Sequence, residues 1–246
     1  MPPPKRVPQT DAIFERLSEV NPQADEAPDT LRLSLDAKAT VNVGPFSRKG
    51  RSRTGTEAAD HDFKPEAALT PFGIFSPEYD DLTLYMARSK VTSDFIVDRL
   101  RDWWEFNKGR FPEVTRLVLN LDNGPENHSR RTQFLKRMVG FAREHRLDID
   151  LAYYPPYHSK YNPIERCWGL LELHWNGSLL DSVEAVLGYA ETMTWKGGHP
   201  EVVLVEAEYS KGVRLGRVEM EALESEITRM SGLEKWFVSI PGRRKE

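Results

Sequence analysis

At 246 residues the chain is long enough for one large domain with a sizeable core, and no apolar run in it approaches the roughly 20 residues needed to span a membrane. A net charge of −4 excludes a chain whose main task is to coat nucleic acid, since such domains run basic; it leaves room for an enzyme that meets nucleic acid through a local basic surface and holds metal with carboxylates. The single cysteine, Cys167, rules out an internal disulfide and fits a reducing cytosol, and the opening MPPPKRVPQTDAIF lacks the apolar stretch of a secretory signal.

Residues 1–29 are rich in Pro, Asp, Glu and Gln around a short amphipathic piece, AIFERL, and read as a linker or the remnant of an upstream region. TLRLSLD, residues 30–36, alternates apolar and polar with period two, which predicts a strand. ATVNVGPF, residues 39–46, predicts a second strand, the Arg/Lys/Gly/Ser-rich stretch 47–62 a polar loop, and LTLYMA, residues 82–87, a third strand. A helix follows, with Ser93 as N-cap and Ile96, Leu100 and Trp103 at helical spacing. RLVLNLD, residues 116–122, predicts a fourth strand, apolar enough at Leu117, Val118, Leu119 and Leu121 to be buried on both faces.

A second helix spans about 129–145 with Phe134, Met138 and Phe141 on one face, and DIDLAYY, residues 148–154, predicts the fifth strand. The helix after Asn162 places Ile164, Trp168, Leu171 and Trp175 on one side, and further helices are predicted at about 182–193 and 217–230, the last within a helical extension over 201–246. Three strands joined by short or polar links, then strands alternating with helices, predict an α/β fold; a mixed five-stranded sheet flanked by helices is the ribonuclease H-like arrangement by analogy, and the pattern alone also allows other α/β folds.

Three acids stand where such a sheet would present them. Asp36 ends the first strand, Asp122 ends the fourth before Asn123-Gly124-Pro125, and Glu165 opens the helix after the fifth. Sites in open α/β sheets form beyond the carboxyl ends of strands. If the first and fourth strands are parallel neighbours, Asp36 and Asp122 meet at one edge. Clustered carboxylates are the ligand set for Mg²⁺, and two such ions serve phosphodiester chemistry by activating the attacking oxygen and stabilising the leaving one. Each acid also has a plain structural reading, and an Asp that ends a strand, as Asp36 does, means little by itself. Asp before Asn-Gly is ordinary turn chemistry, and Asn162, Pro163 and Glu165 fit the N-cap, N1 and N3 of a capping box.

LDNGPEN followed by YYPPYHSKYNPIERCWG resembles the catalytic core of DDE transposases of insertion sequences in the mariner-like superfamily. LRLSLDAKATVNVGPFSR, PYHSKYNPIERCWG, HWNG and MTWKG are similar to the motifs of one bacterial group, the ISAzo-thirteen family, and the likeness runs from about residue 10 to 240. The resemblance implies a ribonuclease H-like catalytic domain over 30–200, with Asp36, Asp122 and Glu165 as its catalytic and metal-binding triad. It also implies two Mg²⁺ or Mn²⁺ ions, DNA strand cleavage and strand transfer during transposition, element ends and target DNA as partners, a homodimer or a full-length transposase as protein partner, and a bacterial cytoplasm with the nucleoid as the place of action. Transposases of this kind carry an N-terminal helix-turn-helix region, so the resemblance further implies a truncated or split copy. The alternatives are another ribonuclease H-like nuclease, or a catalytically silent fragment that binds DNA or the full-length enzyme.

Around the triad, His158 and Lys160 either contact a scissile phosphate or are solvated loop residues. Arg48, Lys49, Arg51 and Arg53 either neutralise DNA phosphates or form a solvated loop. Arg130 and Arg131 read as a solvated first turn. Tyr153, Tyr154, Tyr157 and Tyr161 either stack on splayed bases or pack around the prolines in a rigid aromatic-proline loop that positions Glu165. Cys167 reads as a buried thiol rather than a nucleophile, and Trp168, Trp175 and Trp195 as core. No zinc spacing and no phosphate-cradling glycine loop occur, so neither zinc nor a nucleotide cofactor is expected.

Overall fold

The computed structural model describes residues 7–45 and 65–243. Its centre is a mixed sheet in the order β7-β4-β3-β1-β5-β6-β9-β8, with a short β2 pairing β3 off this path. The strands are β1 (Thr30–Ala37), β2 (Val41–Val43), β3 (Ala67–Ser76), β4 (Asp81–Ala87), β5 (Arg116–Leu121), β6 (Asp148–Tyr153), β7 (Glu201–Val205), β8 (Thr228–Arg229) and β9 (Phe237–Ile240). β3 runs antiparallel to β1 and β4, while β1, β5 and β6 are mutually parallel. The stretch β4-β3-β1-β5-β6 is therefore the expected ribonuclease H-like nucleus. β7 extends it in parallel at one edge, and β9 and β8 extend it antiparallel at the other.

Two strands differ from the sequence expectation. The second core strand is β3, and the described part of the expected strand, residues 39–45, supplies the three-residue β2 alongside it. Pro71 and Gly73 conceal β3, because both are poor strand residues. Pro71 sits where β3 stops pairing with β2 at Leu69 and starts pairing with β1 at Phe72, a place where the ladder changes partner. Gly73 is required by packing: a Cβ there would lie 2.6 Å from Ile164 Cδ1 and 2.9 Å from Trp168 Cη2.

The helices are α1 (Thr10–Glu26), α2 (Ser93–Asn107), α3 (Thr132–His145), α4 (Glu165–Trp175), α5 (Val183–Glu191) and α6 (Arg217–Glu224). The cap of α2 is Thr92, whose hydroxyl accepts from Phe95 N, so Ser93 is the first helical residue. α1 occupies the segment expected as a linker. It buries Ile13, Leu17 and Ala24, and Asp25 near its end makes a bidentate pair with the buried Arg32 of β1 at 2.7 and 2.6 Å. The predicted helix 217–230 stops at Glu224, and the segment expected as a helical extension carries β7, β8 and β9 as well as α6.

Two apolar clusters flank the sheet. One joins Leu31, Leu33, Leu35, Phe72 and Ile74 to α2 and α3; the other joins Phe75, Leu84 and Met86 to Ile164, Trp168, Leu171 and Trp175 of α4 and its approach, and to Val186 of α5. Among the described residues no helix is long and apolar enough to cross a membrane.

Candidate active site

Asp36 and Asp122 reach the same sheet edge by register. β1 and β5 pair in parallel as far as Ser34 and Asn120, and each aspartate lies two residues further on. Both line one cavity of about 170 Å³, shared with Phe72, Ile96, Glu126 and Asn127. Asp36 is 9% exposed, and its Oδ2 accepts a 2.8 Å hydrogen bond from Trp168 Nε1. Asp122 is fixed by its own turn. Its Oδ1 accepts from Gly124 N at 3.0 Å and from Asn127 Nδ2 at 2.9 Å, and Asn123 between them takes a left-handed backbone, φ 60°. Asn is among the few residues that tolerate that conformation. The turn reading of Asp122 and the site reading thus describe the same atoms.

Glu165 begins α4, and its carboxylate is not a cap. The helix start has no side-chain cap, and the Asn162 N–H that a capping box would engage donates to Ser159 O. The Asn162 side chain turns instead into β1, where its Oδ1 accepts from Ser34 Oγ at 2.6 Å. Ser34 Oγ in turn accepts from Ile164 N at 3.1 Å. Ser34 and Asn162 are both buried, so this link fixes the start of α4 on the strand that carries Asp36.

Asp36 senses the other two acids. Asp36 is pushed up from the usual 3.8 to about 7, first by burial and then by the Asp122 charge; the Trp168 N–H pulls it down and the Glu165 charge raises it further. Two carboxylates that raise a third are what a site for a hard cation requires, since the repulsion is relieved when a cation enters. The donor set fits Mg²⁺ or Mn²⁺ in kind. In the positions they occupy, no three His, Cys, Asp or Glu side chains among the described residues are grouped to hold an ion, and Glu165, half-buried, is not in the lining of the cavity that the two aspartates share.

A family model described as the Rhodopirellula transposase DDE domain matches residues 2–241. The chain belongs to this family of transposase DDE domains. Its fold is similar to the transposase Mos1 in a paired-end complex with the left transposon end, at 12% identity and TM-score 0.50, covering 76% of this chain and 55% of that one. It is likewise similar to the Mos1 mariner paired-end complex with Mn, at 12% identity and TM-score 0.51, covering 77% and 55%. At this identity the likeness shows the fold, and the chain spans about half the length of those structures. No curated protein sequence matches it.

The remaining candidates of the transposase domain fall into three groups. Arg48, Lys49, Arg51 and Arg53 lie outside the described residues. His158 is buried, bonded through Nδ1 to Pro156 O at 2.8 Å and packed edge-on to Phe14, so it braces the proline loop from inside. Lys160 is exposed, with Nζ 5.0 Å over the Tyr161 ring. Tyr153 and Tyr154 are buried, whereas Tyr157 and Tyr161 face solvent. Arg131 is not solvated: it pairs with Glu126 at 3.0 Å, and Glu126 also accepts from Ser93 Oγ at the start of α2. Cys167 is buried, and burial pushes its thiol up to about 12, which rules out a thiolate nucleophile at neutral pH.

Nothing in the local sequence marks Ser34, Asn127 or the indole N–H of Trp168 as supporting groups, except that Trp168 follows Glu165 by one helical turn. Gly73→Ala tests this docking. The added methyl meets the buried indole of Trp168, so the substitution is expected to cost about 1–3 kcal/mol by overpacking. It should also displace α4, read as a lower melting temperature and altered Trp fluorescence; an unchanged melt would refute the close approach.

Proposed function

We propose that this domain cuts and joins DNA strands during transposition of an insertion sequence, using divalent cations held by Asp36, Asp122 and Glu165. One observation carries the reading: in a chain of the transposase DDE family, Asp36 of β1 and Asp122 at the end of β5 line one cavity, and Glu165 at the start of α4 is near enough for its charge, with that of Asp122, to bear on Asp36. Bound cations would supply the Lewis acidity that activates an attacking oxygen and stabilises a leaving one.

The chain's own residues prepare that site. Gly124 N and Asn127 orient Asp122, Trp168 orients Asp36, and Ser34 with Asn162 sets where Glu165 begins α4. Exposed Lys160, Tyr157 and Tyr161 on the segment leading to Glu165 offer a cation and two aromatic faces to a DNA strand. The solved transposases of similar fold are complexes with transposon ends, which supports DNA as the substrate here. Element ends and target would then be joined by two copies of the chain, or by this chain with a full-length transposase.

A second reading, a silent fragment that binds DNA or full-length transposase, is favoured by the position of Glu165 outside the aspartates' cavity. Calorimetric titration of Mn²⁺ into the wild type, Asp122→Asn and Glu165→Gln separates the two. Saturable binding, weakened at least about tenfold by each substitution, together with Mn²⁺-dependent cleavage of a labelled duplex, is the expected result. Binding that is absent, or indifferent to both substitutions, would leave the silent fragment.

A further inference from the structure

Asn127 is 7% exposed and lines the cavity between Asp36 and Asp122. Its Nδ2 donates to Asp122 Oδ1. An ionised carboxylate only accepts hydrogen bonds, so the amide must turn its N–H₂ to Asp122 and its carbonyl oxygen away. That oxygen, Oδ1, is buried and accepts no hydrogen bond within the described residues. Buried acceptors are almost always satisfied, and one left over beside a cavity calls for a ligand, water or ion to complete it.

A second observation places the oxygen. A methyl built on Gly124 would lie 3.1 Å from both carboxylate oxygens of Asp122 and 3.2 Å from Asn127 Oδ1. The three oxygens therefore face the same bare side of Gly124. The loop holds them there: Tyr153 Oη donates to Asn127 O at 2.7 Å, and Asn127 N donates to Gly124 O at 3.3 Å. Two carboxylate oxygens and an amide oxygen are hard donors of the kind that Mg²⁺, Mn²⁺ and their hydration shells take.

We propose that Asn127 is part of the cation site, its N–H₂ fixing the rotation of Asp122 and its carbonyl oxygen contacting the cation or the water around it. This rests on the reading that Asp122 binds metal, so the test includes a check on that reading. Mn²⁺ is titrated by calorimetry into the whole chain as wild type, Asp122→Asn, Asn127→Ala and Gly124→Ala, with a melt of each in EDTA. Asn127→Ala is expected to bind Mn²⁺ at least tenfold more weakly while its metal-free melting temperature stays near the wild-type value. Gly124→Ala keeps every ligand but crowds the three oxygens, and is expected to weaken binding in the same direction. If Asn127→Ala fails to fold, Asn127→Leu, of similar size but without the amide, decides the matter with the same expected loss, since the Gly124 methyl also touches both Asp122 oxygens. Wild-type affinity in the Asn127 variants, with binding lost in Asp122→Asn, would overturn the role of Asn127 and leave the metal site standing. No binding by the wild type would overturn both.

Discussion

Asp36→Asn is expected to stabilise the metal-free protein at pH 8 and to impair Mn²⁺ binding in the same variant. The carboxyl of Asp36 moves from the ordinary 3.8 to about 7 in the folded chain, because burial and the charges of Asp122 and Glu165 oppose its ionisation. Its folded value lies above its unfolded one. The neutral form is therefore favoured by folding, and that advantage is complete below pH 3.8 and lost as pH rises to about 7. Above pH 7 the wild type carries a buried charge worth about 4 kcal/mol of lost stability, which Asn avoids while still accepting from Trp168. Urea melts in EDTA at pH 4 and pH 8 read this directly. The two proteins should converge at the acid end and separate by several kcal/mol at the basic end, with the variant the more stable. A variant no more stable than wild type at pH 8 would mean that Asp36 is not strained by its neighbours.

The second large effect is at Trp168, where packing and electrostatics can be told apart. Trp168→Ala removes a buried indole from the cluster between β3 and α4, and cavities of that size cost about 3–5 kcal/mol. Trp168→Phe keeps most of the ring but loses the N–H that holds Asp36 Oδ2. A hydrogen bond to a charged group contributes about 1.5–3 kcal/mol, against about 1 for a neutral one. The Phe variant should therefore be penalised more at pH 8, where Asp36 is ionised, than at pH 5, where it is protonated. In the Asp36→Asn background the pH dependence should vanish, a coupling that a double-mutant cycle measures. A penalty independent of pH and additive with Asp36→Asn would assign Trp168 to packing alone.

Much of this candidate site is legible in the sequence. The apolar runs at 116–121 and 148–153 and the alternation at 30–36 located β5, β6 and β1, and parallel register carried Asp36 and Asp122 to one edge. The alternation of β1 misleads in one respect. Its polar face, Arg32, Ser34 and Asp36, is not solvated but buried, each residue with a specific partner from α1 or α4 and its approach. Those partners lie up to 132 residues away, and sequence spacing holds no trace of them.

β3 was hidden for a related reason. Gly73 looks like a strand breaker until Ile164 and Trp168 are seen to occupy the space of its missing side chain. Asn162 looked like a helix cap because its local pattern allows one, yet its amide is taken by Ser34 and Leu35 O. α1 contains Pro22 and few apolar residues, so the reason it is ordered lies in its tertiary contacts, among them the pairing of Asp25 with Arg32, the bond from Asn120 to Asn21 and the burial of Ile13 and Leu17.

The joint between β1 and α4 also bears on safety. Ser34 and Asp36 sit two residues apart on one strand, and both grip α4 or the residues that lead into it. An opening that frees α4 would carry Glu165 away from Asp36 and, in the same motion, take the indole N–H from Asp36. Site assembly and tertiary closure are thus one cooperative event. A nascent, frayed or proteolytically nicked copy would lack the complete constellation, so the DNA cleavage proposed for this chain would be confined to copies whose fold is whole.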